Sequence, residues 1–521
     1  MVKIMKKKYM LAIDQSTQGT KGIIFGQAGE VVCRADIPHR QIVDDKGWIS
    51  HDLTEIWQNV IKVGVAVIEK AGIDKEEIAG IGLSNQRETS CAWDKESGEP
   101  LDYAVVWQCA RAEKICERIK QNVILNDDRE RNFGGNVGEA VRYKTGLNLS
   151  PYFPAAKFTW LVENSPAVKK ALQEKRLCLG TVDSYLLFRL TKGKVFATDY
   201  SNASRTQLFN LETLDWDEEI CRWFGLSREL LPEVKDSNAI FGETDWDGYF
   251  PEPLPITGVI GDSQGALFGQ GCLETGMVKA TYGTGSSVMM NVGETLPRTD
   301  DGLVTSIGWG IDGKITYVRE GNINYSGAVI SWLKDDLGLI KSPGETQALA
   351  ETANASDRTY LVPAFTGLGA PYWNAKARAT ICGMSRTTGR REIVKAALES
   401  IAYQVTDIVL MMQNEGGIRV KELSVDGAPS KNNYLMHFQS DILNLTVTLA
   451  RCEESSAAGA AYLAGLKLGF YEKEKLLARS ERQQFLPQMT AEEREERYNG
   501  WREAVENTLV KQDRIRPRIL A

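Results

Sequence analysis

Residues 9–25 read Tyr9-Met10-Leu11-Ala12-Ile13-Asp14-Gln15-Ser16-Thr17-Gln18-Gly19-Thr20-Lys21-Gly22-Ile23-Ile24-Phe25. The apolar run Tyr9–Ile13, the polar and glycine-bearing stretch 14–21 and the apolar run Gly22–Phe25 spell strand, turn, strand. Ala28-Gly29-Glu30 makes a second turn, and Val31-Val32 opens a third strand. The pattern returns late in the chain: Met277–Thr281 is strand-like, Tyr282-Gly283-Thr284-Gly285-Ser286-Ser287 is a polar glycine turn, and Val288–Val292 is strand-like again. After the first unit, Leu53, Ile56, Trp57, Val60, Val63 and Val67 keep helical spacing over 52–71, with Asp52 or Thr54 as cap. The strand Ile78–Leu83 follows. After the second come a helix over 391–414, the strand Leu423–Asp426 and a helix through Leu435, Phe438 and Ile442. A small-residue helix over 456–468 and a helical tail over 490–511 close the chain. Two such units predict a duplicated α/β protein with a cleft between its halves. The boundary is expected near 265–275, at Phe268-Gly269-Gln270-Gly271, dividing the chain into domains 1–268 and 269–521, with these glycines as hinge candidates.

Length and charge agree. At about 100–200 residues per domain, 521 residues suggest two to four domains. The net charge of -7 and the lack of any basic tract beyond Lys6-Lys7-Lys8 argue against nucleic acid as a partner. The apolar run at Met10–Ile13 stops at Asp14, short of the about 7–15 residues of a signal core. No stretch reaches the ~18 apolar residues of a membrane span. The nine cysteines contain no C-x-x-C and read as reduced thiols, so a cytoplasmic location is expected. His39, His51 and His437 are too scattered in sequence to suggest a zinc motif.

Several constellations can carry chemistry. The 14–21 turn offers hydroxyls, backbone N–H groups, a carboxylate and a cation, which can wrap a polyphosphate with Asp14 reaching a hydrated Mg²⁺. It is not a Walker A loop; a plain hairpin is the alternative. The Tyr282–Ser287 turn has the same two readings, and two facing hairpins can hold one nucleotide from both sides. Asp262 follows the strand-like Ile256–Ile260 in Ile260-Gly261-Asp262-Ser263-Gln264-Gly265. Such an acid can accept the proton of an attacking hydroxyl in phosphoryl transfer, or simply cap a helix starting at 263. Arg87-Glu88 offers five donors and a carboxylate to adjacent hydroxyls of a polyol; an edge salt bridge is the alternative. Trp107 and Tyr152 are candidate apolar walls, or core aromatics.

These residues lie in stretches that resemble the FGGY carbohydrate kinases, the glycerol-kinase branch most closely. Tyr152–Asn164 is similar to the family's first signature, and Gly383-Met384 with Glu392–Glu399 to its second. Ser84–Thr89, Val106-Trp107-Gln108, Thr198–Arg205, Phe365–Trp373 and Phe438–Leu443 add matching runs across residues 9–471. The resemblance implies two actin-like (ribonuclease-H-like) ATPase domains with an interdomain catalytic cleft, ATP and Mg²⁺ as cofactors, and a homo-oligomer, dimer or tetramer. It implies Asp262 as base and Asp14 for Mg²⁺. Thr17, Gln18, Gly19 and Lys21 would meet phosphates, and Thr284, Gly327, Ser331, Ala428 and Asn432 would line the nucleotide site. Arg87, Glu88, Trp107, Tyr152 and Asp262, with Ser263 and Ser287, would hold the acceptor.

Departures from the pattern bear on the substrate. Ser287 stands where glycerol kinases usually place Phe, and Ser263 where Gln is usual. Gln18-Gly19 replaces a Thr-Ser pair, Ser331 a Gln and Ala428 a Gly. Glycerol is the expected acceptor, with a four- or five-carbon polyol or ketose (erythritol, xylulose, ribulose) as the alternative. A nucleotide switch on the actin-like fold, without sugar chemistry, is the remaining reading. The loop Thr244–Leu254 is acidic and lacks Arg, so it should repel fructose 1,6-bisphosphate. No histidine in 200–260 can take the phosphoryl group that regulates some relatives.

Overall fold

The computed structural model describes residues 7–121, 136–298, 302–476 and 482–510. Two mixed sheets carry it. The first runs in the order Glu243–Thr244, Leu254–Gly261, Ile78–Asn85, Tyr9–Gln15, Gly19–Phe25, Val31–Pro38. The second runs Val304–Ile311, Lys314–Ile323, Ser286–Gly293, Met277–Tyr282, Glu422–Asp426, Val447–Leu449, Gln484–Phe485. Five strands in each repeat one plan. An antiparallel meander (9–15, 19–25 and 31–38; 277–282, 286–293 and 314–323) is extended from its first strand by two parallel strands. The duplication expected from the two turns is therefore present. Its second meander has a third strand, Lys314–Ile323, that the turn pattern did not reveal.

Parallel neighbours need crossover connections, which here are helical. Leu53–Ala71 leads from the first meander to Ile78–Asn85. Its cap is Asp52, whose carboxylate accepts from Thr54 N, and Gly72 closes it in the left-handed region. Leu53, Ile56, Val60, Val63 and Val67 are fully buried along one face, each contributing about 1.5–3 kcal/mol. The later helices are Arg390–Gly416, Asn433–Leu443, Ser455–Lys467 and Ala491–Val510; residue 511 of the expected tail lies outside the described residues, as does Lys6.

Both polar turns are tighter than the sequence suggests. Asp14 and Lys21 are cross-strand partners. Only Ser16, Thr17 and Gln18 project beyond the ladder, closed by Ser16 N and Oγ donating to the Gly19 carbonyl, each at 2.9 Å. Gly19 is required by its neighbour: a Cβ there would lie 2.8 Å from Ile37 O. In the second half the turn is Gly283–Gly285. Ser287 pairs with Thr281 inside the ladder, which corrects its assignment to the turn.

The sheets meet through two crossing helices, Asp262–Gly269 and Ser455–Lys467. A Cβ on Gly459 would sit 2.1 Å from Gly265 O, one on Gly269 2.2 Å from Ser455 O, and one on Gly82 2.4 Å from Ala460 O. Small residues thus let a helix from late in the chain lie against the first sheet. A buried cluster joins Met10, Ile23 and Phe25 to Met277, Met289 and Val318 through Leu267, Phe268 and Leu463. Gly269, expected as a hinge, is a packing contact inside this crossing. The nine cysteines are all free. Among the described residues, no helix is long and apolar enough to cross a membrane.

Candidate active site

Three adjacent strands of the first sheet end side by side. Asp14 is paired with Ser84, and Asn85 with Gly261. With neighbouring strands about 4.8 Å apart, the residues at these ends converge: Asp14, then Arg87-Glu88, then Asp262. Asp262 opens the helix Asp262–Gly269. Its Oδ1 accepts from Ser263 N at 2.6 Å and meets Arg87 Nε at 3.2 Å. The side chain keeps 36% exposure, so the other oxygen faces the cleft. Asp262 is the first residue of its helix, with Gly261 at the N-cap and no side-chain capping bond, so the capping alternative does not hold. Burial raises its pKa, opposed by Arg87 and reinforced by Glu88.

Arg87-Glu88 is neither an edge salt bridge nor a free fork. Arg87 Nη1 donates to Gln264 Oε1 at 3.1 Å and to Glu320 Oε2 at 3.2 Å, and Nη2 donates to Glu320 Oε1 at 2.9 Å. The expectation of five donors for a ligand is therefore corrected: most are engaged within the protein. Glu88, in the left-handed region at φ 60°, accepts from Arg205 Nε at 2.5 Å. Arg205 Nη1 also meets Glu320 Oε2 at 2.9 Å. Two arginines and two carboxylates thus form a buried box. Burial alone would push Glu320 up; Arg87 and Arg205 hold it well below the usual carboxylate range.

Lys157, fully buried on the helix Pro154–Asn164, donates to three carbonyls: Tyr152 at 2.5 Å, Glu88 at 3.2 Å and Trp107 at 3.4 Å. One ammonium, with three N–H groups, pins three of the candidate acceptor residues. Trp107 and Tyr152 are half-buried and meet edge to face at 5.5 Å, so neither is fully buried core. Trp107 Nε1 donates to Thr17 Oγ1 at 2.9 Å, tying the pair to the first turn. On another side, Ser287 Oγ accepts from buried Lys279 and donates to Glu320 Oε1, both at 3.1 Å. Ser263 is half-buried beside Asp262.

At the first turn, Thr17 is half-buried and Gln18 exposed. Lys21 Nζ lies 3.9 Å from Asp14 Oδ2 and 2.7 Å from Glu454 Oε2. Asp14 Oδ1 is buried with no hydrogen-bond partner. Burial raises the Asp14 pKa to about 6, with Lys21 opposing. A lone buried carboxylate oxygen beside the first turn is a good oxygen donor for a hard cation, so the residues fit Mg²⁺. No cluster of three or more His, Cys, Asp or Glu able to hold a metal occurs among the described residues. His39 and His51 do meet edge to face at 4.6 Å.

Across the cleft, a cavity of about 520 Å³ lies at the second turn. Thr284, Gly327, Ser331, Ala428 and Asn432 all line it, together with apolar Ile330, Leu398 and Leu435. Glycine at 327 is needed there, since a Cβ would lie 2.7 Å from Gly283 O. Gly427, at φ 92°, likewise passes Tyr282 O. Asn432 is partly engaged: its side chain caps the next helix through Leu435 N and donates to Thr346 Oγ1 at 3.0 Å.

Comparison with known proteins fits this geometry. The profile of the FGGY family of carbohydrate kinases, N-terminal domain, matches residues 9–269, and that of its C-terminal domain matches 278–468. The chain belongs to the FGGY family of carbohydrate kinases. It is 43% identical over 504 residues to a glycerol kinase of Thermoanaerobacter pseudethanolicus, covering 96% of this chain and 99% of that one. It is 45% identical over 504 residues to glycerol kinase 1 of Thermotoga maritima, covering 96% and 100%. Among solved structures, Plasmodium falciparum glycerol kinase with ADP superposes with a TM-score of 0.88 at 35% identity, covering 97% of this chain and 99% of that one.

In this FGGY kinase, five site residues escaped sequence reasoning: Lys157, Arg205, Lys279, Glu320 and Glu454. Lys157 and Arg205 sit in family-like stretches but carried no assigned role. Glu320 lies on Lys314–Ile323, the meander strand missed above. Its run Ile315-Thr316-Tyr317-Val318 is rich in strand-forming residues and was the available signal.

Proposed function

We propose that this kinase transfers the γ-phosphoryl group of ATP to a terminal hydroxyl of glycerol, giving glycerol 3-phosphate and ADP. One observation carries the reading. Asp262 keeps a part-exposed carboxylate in ionic contact with Arg87, whose neighbour Glu88 shares the Lys157 clamp with Trp107 and Tyr152, while the second turn opens a cavity of about 520 Å³. The glycerol kinases at 43–45% identity support the same acceptor.

Asp262 serves as general base. Its free oxygen takes the proton of the attacking hydroxyl, while Arg87 Nε on Oδ1 opposes the burial that raises the carboxylate's pKa. Arg87 and Glu88 orient the hydroxyls, and Ser263 and Ser287 complete the polar side. Trp107 and Tyr152 pack against the carbon chain. Thr17, Gln18, Gly19 and Lys21 meet the phosphates from one side; Thr284, Gly327, Ser331, Ala428 and Asn432 hold the nucleotide on the other. When bound, ATP supplies the phosphoryl group and Mg²⁺, held by Asp14, neutralises its charge. The functional division we propose is 1–268 for acceptor, first phosphate turn and base and 269–521 for nucleotide, with Ser287 reaching the acceptor from the second half, in a dimer or tetramer.

Asp262→Asn should lower kcat by about 10²–10⁴-fold while ATP still binds in calorimetry. Turnover near wild type would remove Asp262 as base.

A second acceptor class rests on Ser287. Its hydroxyl, held between Lys279 and Glu320, makes one cup wall polar, which suits an additional substrate hydroxyl. ADP-coupled assays across glycerol, erythritol, xylulose and ribulose decide between the acceptors. Preference for a longer acceptor would replace glycerol.

A further inference from the structure

The segment Asp199–Arg205 has no part in the mechanism so far, yet it touches both strand ends that lead to Arg87-Glu88 and to Asp262. Asp199 accepts from Ser201, Asn202 and Ser237. Ser201 Oγ accepts from Gly261 N at 2.9 Å, one residue before Asp262. Asn202 exchanges hydrogen bonds with Asn85, at 2.9 and 3.1 Å, on the strand leading to Arg87. Ser204 Oγ accepts from Ile307 N in the second sheet. Arg205 then enters the charge box.

We propose that Arg205 is a positioning residue of the acceptor site, the cation that lets Glu88 and Glu320 share Arg87 without drawing it away from Asp262. This rests on the polyol-kinase reading above. Charge balance is the reason. The box holds two arginines and two carboxylates, all nearly devoid of solvent. Without Arg205, the nearest cation to the Glu88 carboxylate is Arg87 Nε, at 3.9 Å. A buried carboxylate lacking a close partner is strongly disfavoured. Arg87 would then move towards Glu88, or the two carboxylates would take up a proton. Either change alters the group that faces Asp262. The other charged and titratable groups facing the box are Asp262, Lys157, Tyr152 and Lys279, and none can replace a fork that bridges both carboxylates.

The test uses the full chain with Arg205→Met and Arg205→Lys. Arg205→Met should raise the acceptor KM about tenfold or more, leaving the ATP KM within about twofold; Arg205→Lys, which reaches one carboxylate, should fall between. A second readout needs no turnover. In Arg205→Met the folded box binds a proton more tightly than the unfolded chain, so the loss in Tm against wild type should shrink from about pH 8 to about pH 5.5. A purely packing role would give a gap independent of pH. An unchanged acceptor KM, equal rises in both KM values, or a flat gap would overturn the proposal. Wild type inactive on every polyol would instead defeat the functional reading, and the Tm gap would still decide the role of Arg205. If Arg205→Met does not fold, Arg205→Lys carries both measurements: a raised acceptor KM supports the proposal, and wild-type values overturn it.

Discussion

Lys157→Met should damage acceptor binding while barely changing stability. The wild-type ammonium is fully buried, and burial lowers its pKa from 10.5 to about 7, with Glu88 opposing. At about 1.4 kcal/mol per tenfold in proton affinity, that burial costs on the order of 5 kcal/mol. Methionine removes this cost and keeps a similar shape. It also removes bonds to the carbonyls of Glu88, Trp107 and Tyr152. At about 1–2 kcal/mol each, two being long, these amount to about 3–5 kcal/mol. The terms nearly cancel, so unfolding free energy should change by less than about 2 kcal/mol. The cup has no such compensation. Misplacement of binding groups by about 1 Å can cost about 10²-fold, so the acceptor KM should rise about 10–100-fold with the ATP KM unchanged. Wild type carries a matching pH signature. Above about pH 7 the amine loses one of three N–H groups, so acceptor KM should climb with pH in wild type and stay flat in Lys157→Met. The stability sign is opposite. Between about pH 7 and 10.5 the unfolded chain holds more protons on Lys157, so that residue's contribution to stability rises with pH. Steady-state acceptor titrations across this range, with thermal melts, provide the readout. An acceptor KM within twofold of wild type in the variant, or a wild-type KM flat with pH, would refute the reasoning.

Three further outcomes are expected. Because Asp14 carries a pKa raised to about 6, protons and Mg²⁺ should compete there. The Tm gain from Mg²⁺ with nucleotide should be larger at pH 7 than at pH 5, and Asp14→Asn should abolish that difference. Without metal the sign reverses: the folded state binds the proton more tightly, so Asp14 lowers stability as pH rises from 3.8 towards 6. Fructose 1,6-bisphosphate should leave turnover unchanged at millimolar concentration, since the 244–254 loop carries Asp245, Asp247 and Glu252 and is anchored by buried Trp246 on Ile61 O; inhibition would contradict this. Gly459→Ala places a methyl 2.1 Å from Gly265 O, a backbone atom that yields only if the crossing helices separate. It should cost about 1–3 kcal/mol in a denaturant melt, and an unchanged midpoint would show that the crossing is loose.

Much of the framework was legible in one dimension because it is written in local pattern. Alternating apolar runs around two polar turns reveal the duplicated meanders, and a single strand-end acid with flanking glycines marks Asp262. The five nucleotide-side residues, spread from 284 to 432, could be nominated by family resemblance, and they do line one cavity. Turn lengths were overestimated because polar residues such as Asp14, Lys21 and Ser287 can stay in a ladder when their side chains face a cleft. What only the tertiary structure decided is the charge arrangement. Residues 87, 88, 157, 205 and 320 have no periodic relation in the chain. They meet because one strand end of the first sheet, the helix Pro154–Asn164, the chain just after the short helix Tyr200–Ala203 and a strand of the other sheet converge on the same point. Burial then forces each charge to find a partner there, so Arg87 faces inward to Glu320 instead of presenting a free fork. A sequence records which charges exist; which of them are paired, and which remain open to a substrate, depends on the solvent excluded when the two sheets close over the cleft.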